Sequence, residues 1–201
     1  MQIRWSHGRH QTVSSTSLQK WERERSSQLD RIEAAHAAVS RAAGRKPWAT
    51  KQIDQAYVML LSSHFQGFCR DLHSESVDAI LRSVTPVRLR LTLRRELFLA
   101  RKLDRGNPNP GNIGSDFSRL GVLIWPELHA GDIRNSARHM QLETLCEWRN
   151  AIVHQDFKAE FDPEALRLSL VRSWRGTCNG LARSLDRVVG RYLANLGGGE
   201  S

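Results

Sequence analysis

Apolar residues recur at three- and four-residue steps along most of the chain, which is the spacing of one face of an α-helix. The segments that follow this pattern are 16–43, 50–83, 132–157 and a last one that opens at 162–164 and extends to 196. Ser115 is a suitable N-cap for a shorter helix that carries Phe117 and Leu120. The pattern predicts an all-α protein, folded as an antiparallel helical bundle.

One segment fits two secondary structures. Residues 87–93 alternate apolar and polar side chains as a β-strand does, whereas residues 94–103 follow helical spacing. A single short strand would have no partner in this chain, so we interpret the whole piece as helix. The Gly-, Pro- and Asn-rich residues 104–114 that follow predict a loop.

The helix predicted over 132–157 has a charged residue in its apolar stripe. That stripe consists of Leu142, Leu145, Cys146, Ile152 and Val153. At about 100° per residue, Arg149 falls near its middle, while Asn150 and His154 share the neighbouring face. A guanidinium keeps its proton, so Arg149 must find an anionic partner, reach a wet cleft or stay unpaired at high cost. An inward-facing Arg beside an Asn and a His suits the binding of a phosphate.

These three residues also carry a family resemblance. The run Arg149-Asn150-Ala151-Ile152-Val153-His154 resembles the Arg-Asn-x-x-x-His signature of the HEPN superfamily, small helical domains that include many metal-independent endoribonucleases. The resemblance implies an HEPN-like domain over residues 48–196. A basic arm and an extra helix would precede it in 1–47, and a disordered tail would follow at 197–201. It also implies a homodimer, because the active cleft of this superfamily usually forms between two subunits.

The motif residues are suited to cleaving RNA without a metal ion, because the 2′-hydroxyl of RNA can attack the neighbouring phosphate. His154 is the candidate proton-transfer group, since histidine exchanges protons near neutral pH. Arg149 would bind the scissile phosphate, and Asn150 would orient the imidazole or the phosphate. Glu147, just before the motif, is a second-tier candidate that could tune the histidine. No CxxC or HExxH pattern is present, so we predict neither a metal site nor a cofactor.

Each of these residues also has a purely structural interpretation. Arg149 could pair with a buried acid such as Glu143 or Glu147. His154 could occupy the C-terminal end of the helix, where a cation suits the helix dipole. His154 also lies about 140° around an ideal helix from Arg149, so the two side chains converge only through reach, a bend or a second subunit.

The charge of the chain indicates a polyanionic partner. The formal net charge is +9 and the pI is about 10.3, which favours nucleic acid. The most basic segment follows Pro86. Its residues that we predict to contact an RNA backbone are Arg88, Arg90, Arg94, Arg95, Arg101 and Lys102.

The three cysteines indicate the compartment. Cys69, Cys146 and Cys178 are dispersed and odd in number, which predicts buried thiols in a reducing environment. The chain shows neither an apolar signal core nor a run of membrane-spanning length, so we expect a cytoplasmic protein without membrane contact.

These observations lead to one hypothesis and one main alternative. The hypothesis is a metal-independent endoribonuclease that acts by 2′-hydroxyl transesterification and leaves a 2′,3′-cyclic phosphate. The resemblance implies a toxin or defence effector, restrained by an antitoxin or another inhibitory partner protein. The alternative is a non-catalytic HEPN-like module that binds RNA or protein and mediates dimerisation. A DNA-binding regulator ranks lower, because no convincing helix-turn-helix pair is visible.

Overall fold

A computed structural model describes residues 14–42, 47–157 and 161–197. Within these ranges the chain forms α-helices and short helical turns and no β-strand, which confirms the predicted all-α class. The helices are α1 (Thr16–Lys20), α2 (Ser26–Arg41), α3 (Pro47–Ile80), α4 (Val87–Phe98), α5 (Pro110–Ser118), α6 (Ile124–Gly131), α7 (Arg134–His154) and α8 (Leu168–Gly197). The predicted basic arm up to residue 13 and the predicted tail beyond residue 197 lie outside the described residues.

The long helices α3, α7 and α8 pack against one another and form the centre of the bundle. Their apolar stripes meet there, so that Tyr57, Phe65 and Phe68 of α3 and Leu142 and Leu145 of α7 are all buried. Removal of these large side chains from water is the main force that holds the three helices together.

The N-terminal helices belong to the same core. α1 continues into α2 through a π-helical turn, Trp21–Arg25. Trp21 is fully enclosed: its indole Nε1 donates to Asn179 Oδ1 at 3.0 Å, and its ring meets that of Phe65 edge-on with centroids 5.8 Å apart. The segment predicted as accessory to the bundle therefore shares one continuous hydrophobic core with it.

The start of α5 differs from the prediction. The helix begins at Pro110 and not at Ser115, because the Asn109 side chain accepts a hydrogen bond from the backbone N–H of Asn112 at 2.7 Å. Pro110 suits the first helical position, where its missing N–H leaves no helical bond unmade. The predicted loop over 104–114 is therefore shorter in the structure.

The start of α8 also differs from the prediction. We expected this helix to open at Asp162, but it begins at Leu168. Asp162 accepts the backbone N–H of Glu164 on its side chain and that of Ala165 on its carbonyl oxygen, each at 2.8 Å. These bonds close an isolated turn, because an aspartate can bond to the backbone just ahead of it without starting a helix.

The segment with two possible interpretations is helical, as predicted, but shorter than predicted. α4 ends at Phe98, and the chain then passes through Ala100 at φ 58° into a 3₁₀ turn, Lys102–Asp104. None of the α4 residues is buried. This helix therefore lies on the bundle and not inside it.

Two further predictions concern the thiols and the membrane. Cys69, Cys146 and Cys178 are free and buried, as the sequence predicts. None of the helices in the described ranges is both long and apolar enough to cross a lipid bilayer.

Candidate active site

The motif lies in the last two turns of α7. Trp148 and Ile152 anchor this end of the helix, since both are buried. The Trp148 ring meets Phe161 edge-on at a centroid distance of 5.4 Å and lies 6.2 Å from the ring of Trp174 in α8. This packing sets the rotation of the helix, so that Arg149 faces the edge of the core.

Arg149 is partly buried and has no carboxylate partner in the part of the chain that the structure describes. Its Nη1 donates to Oδ1 of Asn150 at 3.1 Å. Neither of the acids that the sequence suggested as partners pairs with it. Glu143 lies 3.6 Å from the Nε2 of His139, and Glu147 is exposed, without an ion pair to any described residue. The guanidinium therefore keeps hydrogen-bond donors for an anion from outside the chain.

Asn150 is held by the loop that precedes α5. Nδ2 of Asn107 donates to Oδ1 of Asn150 at 3.1 Å, so this oxygen accepts from both Asn107 and Arg149. Gln66 of α3 fixes the same loop, because its amide donates to two loop carbonyls at 2.7 Å each. With the oxygen of Asn150 occupied, its amide nitrogen is the group that has no partner among the described residues.

His154 is the last residue of α7 and is exposed. Gln155 follows at φ 53° and closes the helix with an N–H bond to the carbonyl of Ala151. Within the described ranges, the imidazole forms no hydrogen bond or ion pair, and nothing joins it to Arg149 or Asn150. The structure thus places the three motif residues at one end of one helix and joins only the first two.

Cys146 lies one turn before Asn150 on α7. Burial raises the pKa of its thiol to about 12, although the charge of Arg149 acts in the opposite direction. A thiol of this kind stays protonated and is a poor nucleophile. Cys146 therefore supports the site by packing and not by covalent chemistry.

The arginines of α4 are on the surface. Arg88, Arg94 and Arg95 are exposed and Arg90 is partly exposed, as is consistent with a helix that buries none of its residues. Lys102, in the turn after α4, is also exposed. Arg94 pairs with Asp78 of α3, whereas the other four side chains form no ion pair with a described residue and can reach a ligand in solution.

Arg101 differs from the other predicted RNA contacts. It is only 7% exposed, and its Nε and Nη2 donate to the two carboxylate oxygens of Asp104 at 2.9 and 2.7 Å. Its Nη1 donates to the hydroxyl of Ser74 at 2.9 Å, and its guanidinium lies 4.9 Å from the centroid of the Phe98 ring. Because these contacts occupy the guanidinium inside the protein, we remove Arg101 from the candidate RNA contacts.

Asn107 is the one residue at the site that the sequence does not single out. It lies in a stretch whose Asn and Pro content predicts a loop and nothing more. No spacing rule connects position 107 with position 150, because the contact exists only after α3, the loop and α7 have packed together.

Neither a metal cluster nor a known relative adds to this description. The described residues hold no group of three or more His, Cys, Asp or Glu side chains arranged for a metal ion. Comparison with family models, with curated proteins and with solved structures finds no significant match to the chain. The resemblance to the HEPN superfamily therefore stays a prediction that rests on the six-residue motif.

Proposed function

We propose that the protein is an endoribonuclease that cleaves RNA through the 2′-hydroxyl of its substrate, without a metal ion in the chemical step. One observation carries the proposal: Arg149 is a partly buried cation whose side-chain partner, in the described part of the chain, is the neutral amide of Asn150. Enclosing a charge without a counter-charge is unfavourable. A bound phosphate would supply that counter-charge and accept the remaining guanidinium bonds.

The roles of the three residues follow from the chemistry of transesterification. The imidazole of His154 accepts the proton of the 2′-hydroxyl, and the 2′-oxygen forms a bond to phosphorus. The bond from phosphorus to the 5′-oxygen breaks, and that oxygen takes up a proton as it leaves. Arg149 binds the oxygens on which negative charge develops, and the amide nitrogen of Asn150 orients the phosphate. The products are a 2′,3′-cyclic phosphate and a free 5′-hydroxyl.

The proposal includes a homodimer. Arg149 faces the edge of the core, while His154 is exposed and forms no hydrogen bond to it. A second copy that faces the first would place its imidazole against the Arg149 of the first copy, and the first copy would do the same for the Arg149 of the second. Two motifs would then line one groove.

The substrate would extend from the motif towards α4. Gln66 fixes the loop beside Asn150, and Asp78 pairs with Arg94 of α4. These two residues are about 18 Å apart along α3, a span that a few nucleotides cover. We propose that Arg88, Arg90, Arg95 and Lys102 contact the backbone of such a strand. The resemblance of the motif supports a toxin or defence effector that a partner protein such as an antitoxin restrains.

A cleavage assay in excess EDTA tests the proposal. We expect His154→Ala and Arg149→Ala each to lower the rate at least about a thousandfold, because each removes a group that acts on the transition state. Matched controls are His129→Ala and Arg167→Ala, which remove an exposed imidazole and an exposed guanidinium elsewhere and should leave the rate unchanged. An oligonucleotide with a 2′-deoxy sugar at the cleavage position should resist cleavage.

Three results would contradict the proposal. They are equal rates in the wild type and the two motif variants, cleavage at the 2′-deoxy position, and RNA binding by the wild-type protein without any cleavage product. The last of these would favour the alternative of a non-catalytic binding module.

A further inference from the structure

α4 is a helix with an exposed apolar surface. Its exposed aliphatic side chains are Val87 at 57%, Leu89 at 47%, Leu91 at 59% and Leu93 at 37%. A surface helix ordinarily turns such residues towards the core. In α4 only the C-terminal end does so, where Leu97 and Phe98 pack against the bundle. We call residues 87–93 the free half of α4.

The attachment of the C-terminal end fixes the direction in which the free half projects. Arg94 pairs with Asp78 of α3 and lies 5.3 Å from the centroid of the Phe98 ring. The guanidinium of Arg119 donates to the backbone carbonyls of Glu96 and Leu99, which caps the end of the helix. The free half is therefore presented as a defined surface.

The exposed aliphatic residues form two separate stripes. Val87 and Leu91 are four residues apart and lie on one side of the helix. Leu89 and Leu93 form a second pair about 200° away, nearly on the opposite side. Arginines separate the stripes: Arg88 and Arg95 on one flank, and Arg90 and Arg94 on the other.

This arrangement discriminates between the kinds of molecule that could cover the helix. RNA would use the arginines and leave the aliphatic residues in water, since contacts to phosphates are polar. An interfacial membrane helix needs one continuous apolar face, whereas α4 has two faces divided by arginines. A second α4 from another copy would bring like charges together, which is unfavourable at an interface.

We propose that the free half of α4 is a docking site for a partner protein that encloses the helix from both sides. The partner contributes aliphatic side chains to each stripe and carboxylates to Arg88, Arg90 and Arg95. A partner rich in carboxylates also suits a chain of net charge +9. Because docking uses the same arginines as the proposed RNA contacts, partner and RNA exclude each other on α4.

A synthetic probe tests the docking site directly. The probe is a fluorescent two-helix hairpin with Leu at the positions that face its central groove and Glu along both rims, and its binding to the full chain is followed by anisotropy. We expect Leu89→Gln with Leu91→Gln to raise the Kd at least tenfold, and Arg88→Gln with Arg95→Gln to do the same. The matched control is Leu123→Gln with Ile133→Gln, which removes two exposed aliphatic residues outside α4 and should leave the Kd unchanged.

The outcomes separate this proposal from the proposed nuclease. Because α4 buries none of its residues, circular dichroism should show the α4 variants to be folded. Arg149→Ala should bind the hairpin as the wild type does, whether or not it has lost cleavage. The docking proposal is overturned if the hairpin does not bind or if the control pair weakens it equally. It is also overturned if Leu89→Gln with Leu91→Gln instead weakens binding to a single-stranded RNA 20-mer or to phosphatidylserine vesicles, or dissociates a homodimer.

Discussion

Two clusters in this bundle each contain an arginine and a histidine, and they differ in what the arginine binds and in how far the histidine is exposed. The interior cluster consists of Arg101, Asp104, Ser74, Phe98 and His73. Its guanidinium is bonded to both oxygens of a carboxylate and to a hydroxyl, and its histidine is buried. The motif cluster consists of Arg149, Asn150, Asn107 and His154. Its guanidinium is bonded to an amide, and its histidine is exposed.

The difference shows how a structural arginine can be told from a candidate binding arginine. Arg101 finds its counter-charge three residues away in Asp104, and that pairing holds the pKa of Asp104 below its usual range. Arg149 has Glu143 and Glu147 nearby in sequence but pairs with neither in the described part of the chain. A cation that folding leaves without a counter-ion retains the capacity to bind an anion, whereas removal of a paired cation leaves its partner charge uncompensated.

The largest expected effect tests whether a second copy completes the motif cluster. Arg149→Ala and His154→Ala, each inactive alone, are mixed under conditions in which subunits exchange. If each site takes its arginine from one copy and its histidine from the other, every mixed dimer contains one intact site. We expect an equal mixture to regain about a quarter of the wild-type cleavage rate. Mixed dimers demonstrated by native mass spectrometry but still inactive would place the site within one subunit.

The next effect concerns the interior cluster. Arg101→Ala leaves a hole beside Phe98 and removes the closest counter-charge of Asp104, although Arg70 still lies 2.9 Å from that carboxylate. We expect the free energy of unfolding to fall by about 3 kcal/mol in urea titrations. The control is Arg105→Ala, an exposed neighbour, for which the change should stay within about 0.5 kcal/mol. Equal stability of the two variants would remove the distinction between the clusters.

A smaller effect appears as a dependence of stability on pH. His73 has no hydrogen-bond partner at either ring nitrogen and lies between the rings of Phe98 and Phe117. Burial, and secondarily the charge of Arg101, lowers the pKa of His73 to about 4. Below about pH 6.5 the unfolded chain therefore binds a proton that the folded chain does not. This contribution is complete above that pH and declines as the pH falls towards 4.

The expected loss is about 2 kcal/mol at pH 5 relative to pH 7, since each pH unit in this window corresponds to about 1.4 kcal/mol. The measurement is urea unfolding of the wild type and of His73→Leu from pH 7 to 5. The leucine of the variant fills the same place with an apolar side chain that cannot take up a proton. The stability of the variant should therefore depend less on pH. Parallel curves for the two proteins would show that His73 does not titrate in this window.

The two clusters also show what the sequence can predict. Helical spacing was sufficient for the all-α class and for most of the apolar stripe of α7, because burial of such a stripe follows from local periodicity. Leu142, Leu145, Cys146 and Ile152 are buried as predicted, whereas Val153 is 43% exposed. Periodicity could not predict that Arg101 is buried. The side chains that enclose it come together only on folding, and they are those of Asp104, Ser74 and Phe98. Periodicity also missed the cap at Asn109, which sets where α5 begins, and it mistook the isolated turn at Asp162 for the start of α8.

The smallest expected effect is a change in kcat on substitution of Asn107. It tests whether the loop positions Asn150 for cleavage or only contributes to stability. Asn107→Ala removes the Nδ2 donor to Asn150 but keeps the Asn107 carbonyl, which accepts from the side chain of Asn112 at 2.8 Å. We expect kcat for cleavage to fall about fivefold to tenfold with little change in KM, because one neutral hydrogen bond is worth about 1 kcal/mol.

Asn109→Ala, two residues further along the same loop, provides the contrast. It removes the cap of α5 and should lower the free energy of unfolding by about 1 kcal/mol while leaving kcat unchanged. If both variants lowered stability and rate together, Asn107 would be one more part of the loop. If only Asn107→Ala lowers the rate, the loop positions Asn150 for its role at the phosphate. The amide nitrogen of Asn150 is then directed to the substrate by a hydrogen bond from a residue outside the motif.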